Sequence, residues 1–404
     1  MSLIDLLRSE SVWENYHDYK VLKGNISSAE EKDLFDFISN KEYIDAVDRI
    51  VCGENISLPE RKLIGKSGSS KKRAVYIFPR EENFIFKLLA YLLMRKYDDI
   101  FCDNLYSFRV NNGVRNAIHS ILRTPGINSK YSFKADISDY FNSIDINLLL
   151  PQLKERLSEE SKIFNLFERI LCEENCIDDG RIIKAKKGVM AGTPLSVFFA
   201  NLYLSPLDYK MKESGLFYAR YSDDIIVFAD DYDSVIKASE TIKECISDRG
   251  LKINPEKEQL TAPGEEWSFL GFKYKNGIID VSDVAKKKLK ARIRRRARSI
   301  KRWQIRKKAT PERAMRAFIR AVNIKLYYST DVNSLNWSRW YFPIINTEDS
   351  LREIDAYIQS WARFMIIGKH NKSNFSLRYS ELKEAGYISL VNSWYKFRNG
   401  VSGS

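Results

Sequence analysis

Three aspartates, spread widely along the chain, are the side chains best suited to chemistry. Asp136 stands alone, whereas Asp223 and Asp224 are adjacent much later in the sequence. Adjacent like charges are unfavourable unless solvent or a cation compensates for them. Carboxylate oxygens are hard ligands that suit Mg²⁺, which keeps other coordination positions for water and phosphate oxygens. Two such ions roughly 3.5–4 Å apart can activate a hydroxyl and stabilise departing pyrophosphate, so the pattern indicates phosphoryl transfer.

The segments around these aspartates predict the elements that position them. Residues 131–137 form a short predicted strand that carries Asp136. The two adjacent acids lie between apolar runs at 216–219 and 225–229, which predicts a β-hairpin with the acids at its turn. A helix is predicted next over residues 234–249, with Gly250 ending it. We expect the three acids to converge from the strand and the hairpin.

The rest of the chain alternates predicted helices with short strands. Residues 1–50 and 82–96 read as helices, 74–78 as a strand, 146–172 as mostly helical, and 195–207 as a very apolar helix after the Gly/Pro-marked loop 188–194. Thr310, Pro311 and Glu312 supply a cap, a first-turn proline and a first-turn acid, which predicts a helix start. The last third is helical and rich in aromatic residues. Mixed helices and strands followed by helices predict the α+β fold class.

The length and composition of the chain exclude several classes of protein. The chain has 404 residues, long enough for two or three domains, and 44% hydrophobic and 13% aromatic residues argue against disorder. No run of about 18 apolar residues is present, which argues against a membrane span. The first residues lack the pattern of a secretory signal. Five cysteines, an odd number, favour a reducing compartment, so we expect a soluble cytoplasmic protein.

The positive charge is concentrated in one segment. Lys and Arg number 66 against 53 Asp and Glu, and residues 286–308 contain fourteen of these cations and no acid. Such a run predicts a surface that follows a phosphate backbone. Apolar residues recur through it at helical spacing, at Leu289, Ile293, Ala297 and Ile300. The segment is therefore predicted to be a docked helix, in which Trp303 either stacks on a base or is buried.

Several motifs occur in the order found in reverse transcriptases, and the chain resembles that family over roughly residues 60–280. The matching segments are 71–73, 106–109, 133–141, 188–196 continuing to 200–201, 221–224, 250–254 with Lys257, and 269–272. The basic helix that begins at residue 286 falls where a thumb is expected. The resemblance implies a right-hand polymerase with fingers over 1–125, a palm over 126–282, and a helical thumb and C-terminal extension over 283–404.

The resemblance also assigns roles to residues. Asp136, Asp223 and Asp224 are the implied catalytic residues and the ligands of two Mg²⁺ ions. The implied nucleotide-binding residues are Lys71, Arg73, Phe141, Gly192 and Lys257. Among them, Phe141 would exclude a 2′-hydroxyl and Lys257 would assist pyrophosphate departure. For nucleic acid, the motifs imply Arg109, Phe269 and Gly271, and the basic helix supplies Lys290, Arg294, Arg295, Arg298 and Arg302.

Details of the motifs suggest a subgroup. Met190 and Ala191 replace the Pro-Gln of many family members, so contacts to the template base or nucleotide are expected to differ. The Val-Thr-Gly motif of retron enzymes is not apparent near 269–300. The layout resembles the bacterial defence-associated "unknown group" enzymes, and class two among them. That resemblance implies copying of a dedicated, structured non-coding RNA from dNTPs into DNA during phage infection.

Three other functions remain open at this stage. A retron or group II intron-like enzyme would share the polymerase chemistry. A non-catalytic RNA-binding protein on a polymerase fold would not need the complete set of acids. A palm-domain nucleotide cyclase would also use paired acids and Mg²⁺, but it leaves the basic helix unexplained.

Overall fold

The structure is a computed structural model that describes residues 1–24, 26–52, 56–65, 72–184, 188–328, 336–369 and 377–400. The chain forms two compact units, residues 1–265 and 266–404. The division into fingers, palm and thumb at residues 125 and 282 stays a prediction. Lys71, one of the predicted nucleotide-binding residues, lies outside the described residues.

The first unit contains helices α1 to α12. They are α1 (Leu3–Leu7), α2 (Glu10–Leu22), α3 (Ser28–Ser39), α4 (Glu42–Cys52), α5 (Arg80–Lys96), α6 (Val114–Arg123), α7 (Tyr140–Ser143), α8 (Ile146–Arg156), α9 (Ser161–Cys172), α10 (Ser196–Tyr203), α11 (Ser205–Glu213) and α12 (Tyr232–Asp248). The helical N-terminal region and the helix predicted over 82–96 are thereby confirmed.

Two four-stranded sheets complete the first unit. The strands are β1 (Glu60–Gly65), β2 (Lys72–Ile77), β3 (Tyr131–Asp136), β4 (Asn175–Asp178), β5 (Arg181–Lys184), β6 (Phe217–Tyr221), β7 (Asp224–Ala229) and β8 (Gln259–Thr261). One sheet has the order β2-β1-β4-β5 and the other has the order β6-β7-β3-β8. The second sheet is antiparallel throughout. It contains the predicted strand and the predicted hairpin. The placement of both acids at the turn is wrong for Asp224, which begins β7, because Tyr221 pairs with it and the turn closes over Ser222 and Asp223.

Helix α12 packs against β3 and β7, and it ends as the sequence predicts. Gly250 follows its last turn at a φ of +67°, where a residue with a Cβ would be strained. The Leu251 amide donates to the Ile246 carbonyl and the Gly250 amide donates to the Ser247 carbonyl. These bonds reverse the chain direction and send the next segment back towards β3.

The single helix predicted over 195–207 is wrong, because two helices occupy this region. Helix α10 stops after Tyr203 and α11 starts at Ser205. Pro206 lacks an amide hydrogen and its ring conflicts with a continuing helix, so it is tolerated only in the first turn of α11. The apolar side chains of α10, including Phe198 and Phe199, are buried in the core as expected.

The second unit is a three-stranded antiparallel sheet followed by helices. Its elements are β9 (Trp267–Phe269), β10 (Phe272–Lys275), β11 (Ile278–Val281), α13 (Asp283–Lys307), α14 (Pro311–Tyr327), α15 (Trp337–Tyr341), α16 (Asp349–Ile367), α17 (Tyr379–Glu384) and α18 (Leu390–Arg398). The basic segment is a docked helix, as predicted, with Leu289, Ile293, Ala297 and Ile300 buried. Thr310 caps α14 through a bond from the Arg313 amide, which confirms that helix start.

Candidate active site

The sheet register brings Asp136 and Asp224 together. Asp136 is the last residue of β3, and it pairs directly with Asp224, the first residue of β7. Directly opposed residues in an antiparallel pair have Cβ atoms roughly 4.5–5.5 Å apart on one face, where like charges repel. Two strands from distant parts of the sequence therefore place two carboxylates side by side at one end of the sheet.

Asp223 lies in the tight turn of the hairpin, beside these two residues. Tyr221 pairs with Asp224, so Ser222 and Asp223 are the two turn residues. Ser222 has a φ of +59°, a conformation that is costly for a residue with a Cβ. The Asp223 carbonyl accepts a hydrogen bond of 3.0 Å from the amide of Ile137, the residue after Asp136. The turn is thus tied to the end of β3, so the backbone segments that carry the three aspartates are adjacent. Convergence of their carboxylates on shared ions stays a prediction.

The electrostatics of this region favour an added cation. Burial, followed by the charges of Asp223 and Asp136, raises the pKa of Asp224 to about 6, although Lys134 and Lys257 lower it. Asp136 is itself 4% exposed. A buried carboxylate next to other carboxylates is stabilised in its charged form by a positive partner. The site therefore attracts positive charge.

Lys257 supplies such a charge. Its Nζ lies 2.6 Å from Oδ2 of Asp136. Burial acts to lower the pKa of Lys257, but the hydrogen bond to Asp136 and the charges of Asp136, Asp224 and Asp223 outweigh it, and the pKa is raised. The residues before Lys257 run beside the end of β3, where Asn254 donates its amide to the Asp136 carbonyl at 2.8 Å. The segment that contains the predicted motif 250–254 thus delivers the lysine to the aspartate.

The donor set can be compared with the needs of Mg²⁺. Within the described ranges, no three His, Cys, Asp or Glu side chains are grouped so that they alone could hold a metal ion. Mg²⁺, however, usually binds proteins through one or two carboxylates and takes its other ligands from water and phosphates. Asp136 and Asp224, which are directly opposed across the strands, supply two carboxylates and so fit that requirement. The assignment of three aspartates to two ions stays a prediction.

A buried ion pair, which the sequence reasoning missed, supports the hairpin from behind. Arg220, next to the turn, binds both carboxylate oxygens of Asp208 on α11 at 2.7 and 2.5 Å, and both side chains are fully buried. The same guanidinium donates to the carbonyls of Ser222 and Asn201 at 3.3 and 3.1 Å. A planar bidentate pair of this kind fixes direction as well as distance. Tyr218, Ala219 and Arg220 are all buried, so β6 has no one-sided alternation that could have revealed the buried arginine in the sequence.

The motif at 106–109 packs against the same hairpin. The Tyr106 amide donates to the Arg220 carbonyl at 2.9 Å. The Ser107 hydroxyl and carbonyl both bond the Asn201 amide group at 2.9 Å. Arg109 is 7% exposed and binds both carboxylate oxygens of Asp98 at 2.8 Å. These contacts give Arg109 an internal structural role, and its predicted contact with nucleic acid stays a prediction.

Three of the predicted nucleotide-binding residues, Arg73, Phe141 and Gly192, lie on or beside the loop 188–194. Gly188 has a φ of +104°, and a Cβ there would lie 2.0 Å from the Phe141 carbonyl oxygen. Gly192 has a φ of +97°, and its Cβ would lie 2.9 Å from the Cβ of Val75 in β2. The loop is also bonded to β2 through the Tyr76 amide and the Ala191 carbonyl at 2.9 Å. The two glycines allow the loop to pass close to both α7 and β2.

Phe141 and Arg73 flank this loop from its two sides. Phe141 is half-buried on α7, beside Gly188. Arg73 is exposed on β2, two residues from Val75 and therefore on the same side of the strand. The structure thus brings Arg73, Gly192 and Phe141 to one loop, and their contacts with a nucleotide stay predictions.

The predicted nucleic-acid residues of the second unit fall into two groups. Phe269 is 1% exposed, and Gly271 takes a φ of +89° in the turn between β9 and β10, where a Cβ would lie 2.8 Å from the Tyr341 hydroxyl oxygen. Both therefore shape the hairpin. Lys290 binds Glu353 on α16 at 2.5 Å. The remaining cations of α13 named above are exposed: Arg294, Arg295, Arg298 and Arg302.

No helix among the described residues is both long and apolar enough to cross a membrane.

Comparison with known proteins identifies the class to which this fold and site belong. Residues 66–274, which contain the three aspartates, match the family "Reverse transcriptase (RNA-dependent DNA polymerase)". Because the match covers more than half of the chain, the chain belongs to the reverse transcriptase family. Membership of this family and the antiparallel sheets confirm the predicted α+β polymerase fold class.

Curated proteins from Escherichia coli are similar to part of this chain. The chain is 26% identical over 174 residues to the retron Ec86 reverse transcriptase of Escherichia coli, covering 42% of this chain and 50% of that protein. It is 23% identical over 173 residues to protein YkfC of Escherichia coli K12, covering 42% of this chain and 45% of that protein. The matched region therefore spans about half the length of each curated relative.

Solved structures of telomerase are similar to this chain as well. Apo telomerase from Candida tropicalis, truncated from its C-terminal domain, has a TM-score of 0.45 at 15% identity over 55% of each chain. Candida albicans telomerase in complex with the TWJ fragment of telomeric RNA has a TM-score of 0.45 at 12% identity, covering 88% of this chain and 71% of that chain.

Proposed function

We propose that this protein is an RNA-directed DNA polymerase that adds deoxynucleotides to a primer 3′ end. The observation that carries the proposal is the direct cross-strand pairing of Asp136 with Asp224, beside the turn that holds Asp223. Membership of the reverse transcriptase family supports the same activity. In the reaction, the 3′-oxygen of the primer attacks the α-phosphorus of the dNTP, and the bond to pyrophosphate breaks.

Different residues of the site would have different roles in this reaction. Asp136 and Asp224, with Asp223, would hold two Mg²⁺ ions, which would supply the positive charge needed at the attacking hydroxyl and at the leaving pyrophosphate. Lys257 keeps a positive charge at the Asp136 carboxylate, where negative charge is dense. Arg73 provides an exposed guanidinium for the triphosphate. Phe141 presents a half-buried ring at the loop 188–194, where it would exclude a ribonucleotide.

A double substitution tests the activity. Asp223→Ala with Asp224→Ala should abolish dNTP incorporation on an RNA template in a primer-extension assay with Mg²⁺, because the carboxylates are needed at the reacting phosphate. Binding of the RNA should remain. Glu244→Ala with Asp248→Ala, which removes two exposed acids of α12, is the matched control and should keep full activity. Full synthesis by the Asp223/Asp224 variant would refute the assignment.

The template and the biological role form a finer proposal. The sequence around the loop 188–196 supports an enzyme that copies a dedicated, structured non-coding RNA in antiviral defence against phage, and we place it in the cytoplasm. Sequencing of RNA and DNA that co-purify with the protein tests this directly. One abundant non-coding RNA with its complementary DNA is the expected result, and loss of phage resistance in the Asp223/Asp224 variant should accompany loss of the DNA. Recovery of RNA without any DNA product would favour a non-catalytic RNA-binding protein.

A further inference from the structure

Helix α14 carries a row of cations that the polymerase reaction does not use. Arg313, Arg316 and Arg320 are exposed and spaced three and four residues apart, which places them along one side of the helix. Glu312, in the first turn, is the only acid of α14. Among the described residues, no carboxylate pairs with any of the three arginines. An ordinary solvated face usually mixes acids with bases, whereas this one has three arginines and a single acid, Glu312, at its start.

A cavity with a volume of about 530 Å³ lies at the start of this row. It is lined by Arg296, Ser299, Ile300, Arg302, Trp303, Arg306 and Ala317. Its volume falls within the roughly 300–1,000 Å³ typical of ligand sites. The half-buried indole of Trp303 forms part of the wall, and the guanidinium of Arg313 lies 5.8 Å from the ring centroid. The cavity therefore combines an aromatic surface with several cations.

A second cavity, of about 390 Å³, lies near the other end of α14. Its lining includes Arg320, Asn323 and Tyr328, and Tyr328 is 59% exposed. Asn323 donates its amide to the Gly386 carbonyl at 2.7 Å, while its buried Oδ1 has no hydrogen-bond partner among the described residues. From Arg313 to Tyr328 the helix rises by about 22 Å.

We propose that this row is a binding surface for single-stranded RNA, which adjoins the exposed arginines of α13 that would follow a duplex and shares Arg302 with them. Arginines along α14 would contact successive phosphates, and Trp303 and Tyr328 would stack on bases at its two ends. Exposed base faces exist in single strands but are hidden in a duplex, so aromatic groups at both ends favour a single strand. The inference rests on the proposed function in one respect, because both require that the protein binds an RNA template.

A charge-matched pair of variants tests the surface. The first carries Arg313→Gln, Arg316→Gln and Arg320→Gln, and the control carries Lys154→Gln, Lys162→Gln and Lys237→Gln, which are exposed residues of the first unit. Both lose three charges from exposed helix positions. Binding of fluorescently labelled oligouridine is measured by anisotropy across a salt series. Thermal melting of each variant checks that it is folded.

The expected results are quantitative. The α14 variant should bind oligouridine at least about tenfold more weakly, and its slope of log affinity against log salt should shrink by about 2, because each lost phosphate contact removes about 0.7 for a single strand. The control should keep the wild-type slope. An unchanged slope for the α14 variant would overturn the proposal, as would an equal loss of affinity for an RNA–DNA hybrid.

Substitution of the aromatic wall gives an independent measurement. Trp303→Leu should weaken oligouridine binding by at least about fivefold, whereas Trp303→Phe, which keeps a stacking ring, should restore most of it. Equal weakening by the two substitutions would argue against base stacking. If oligodeoxythymidine binds as tightly as oligouridine, the surface recognises single strands of both DNA and RNA. That result would overturn the proposal that the surface is specific for RNA.

Failure of this inference and failure of the polymerase assignment are distinguishable. Incorporation is assayed separately, on a short preannealed RNA–DNA hybrid that lacks a single-stranded extension beyond the first template positions. An active enzyme whose α14 variant binds oligouridine normally contradicts only the RNA surface. An inactive wild-type protein whose α14 variant binds poorly contradicts only the polymerase assignment.

Discussion

The contact between Lys257 and Asp136 is the residue-scale feature with the most direct consequence for chemistry. The ammonium lies 2.6 Å from a carboxylate that is also suited to Mg²⁺. Two cations that share one carboxylate compete for it, because each reduces the negative charge that attracts the other. We therefore expect the lysine both to support the reaction and to lower the affinity of the site for metal.

Substitution of this lysine should separate those two effects. Lys257→Gln removes a side chain that is 54% exposed, so the fold should persist. We expect the rate of dNTP incorporation at saturating Mg²⁺ to fall at least about tenfold, since one stabilising charge is lost. The Mg²⁺ concentration for half-maximal rate should also fall, because the competing ammonium is absent. Initial rates across a Mg²⁺ series measure both quantities.

Lys252→Gln is the matched control for this series. Lys252 lies in the same segment and is exposed, and its backbone carbonyl, not its side chain, accepts the bond from Ser138. It should leave both the rate and the Mg²⁺ dependence unchanged. An unaltered Mg²⁺ requirement in Lys257→Gln would show that the lysine does not compete with metal at Asp136.

At the scale of elements, the hairpin of β6 and β7 depends on helix α11. The bidentate pair between Arg220 and Asp208 is fully buried, and Tyr218 donates its hydroxyl to the same carboxylate at 3.1 Å. Burial of charges is costly, and the geometry compensates for it only while both partners are present. The position of the turn that carries Asp223 is therefore coupled to a helix outside the sheet.

Removing one partner of this pair should destabilise the first unit strongly. Arg220→Met leaves the Asp208 carboxylate buried without its cation, and we expect the free energy of unfolding to fall by about 3–5 kcal/mol. The double variant with Asp208→Leu removes both charges and should recover part of that loss. Urea unfolding of the wild type and the variants measures the coupling. A double variant less stable than the sum of the two single effects would contradict it.

At the scale of the whole molecule, the net charge of +13 is unevenly distributed. The fourteen cations of residues 286–308 account for the excess of positive charge. Some of them form ion pairs with carboxylates instead of remaining unpaired at the surface. Lys286 and Lys290 both bind Glu353 on α16, so they hold the helices of the second unit together. The exposed positions of α13 are the ones that remain for a phosphate backbone.

The salt dependence of hybrid binding should report those exposed positions. Arg294→Gln, Arg298→Gln and Arg302→Gln together should reduce the slope of log affinity for an RNA–DNA hybrid against log salt by about 2 to 3, because three phosphate contacts are lost. Lys290→Gln should leave the slope unchanged and lower stability instead. Anisotropy titrations of a labelled hybrid distinguish the two outcomes, and an unchanged slope in the triple variant would exclude α13 as a phosphate-binding surface.

Local patterns in the sequence were sufficient for much of the fold. The hairpin at 216–229, the helix ended by Gly250, the cap at Thr310 and the apolar stripe of α13 follow from turn chemistry, capping and periodicity. These features depend on residues within a few positions of one another, so they are visible without a tertiary structure. Each motif is local in the same way, and the order of the motifs along the chain indicated the family that the comparison then showed.

Contacts between distant segments were decided only by the tertiary structure. The pairing of Asp136 with Asp224, the burial of Arg220 against Asp208 and the use of Lys290 by Glu353 all join elements far apart in sequence. A charged residue looks the same in a sequence whether it faces solvent or a buried partner, because its environment is set by how whole elements pack. The sequence therefore determined which side chains are available for chemistry, and packing determined which of them support the site and which remain exposed to bind nucleic acid.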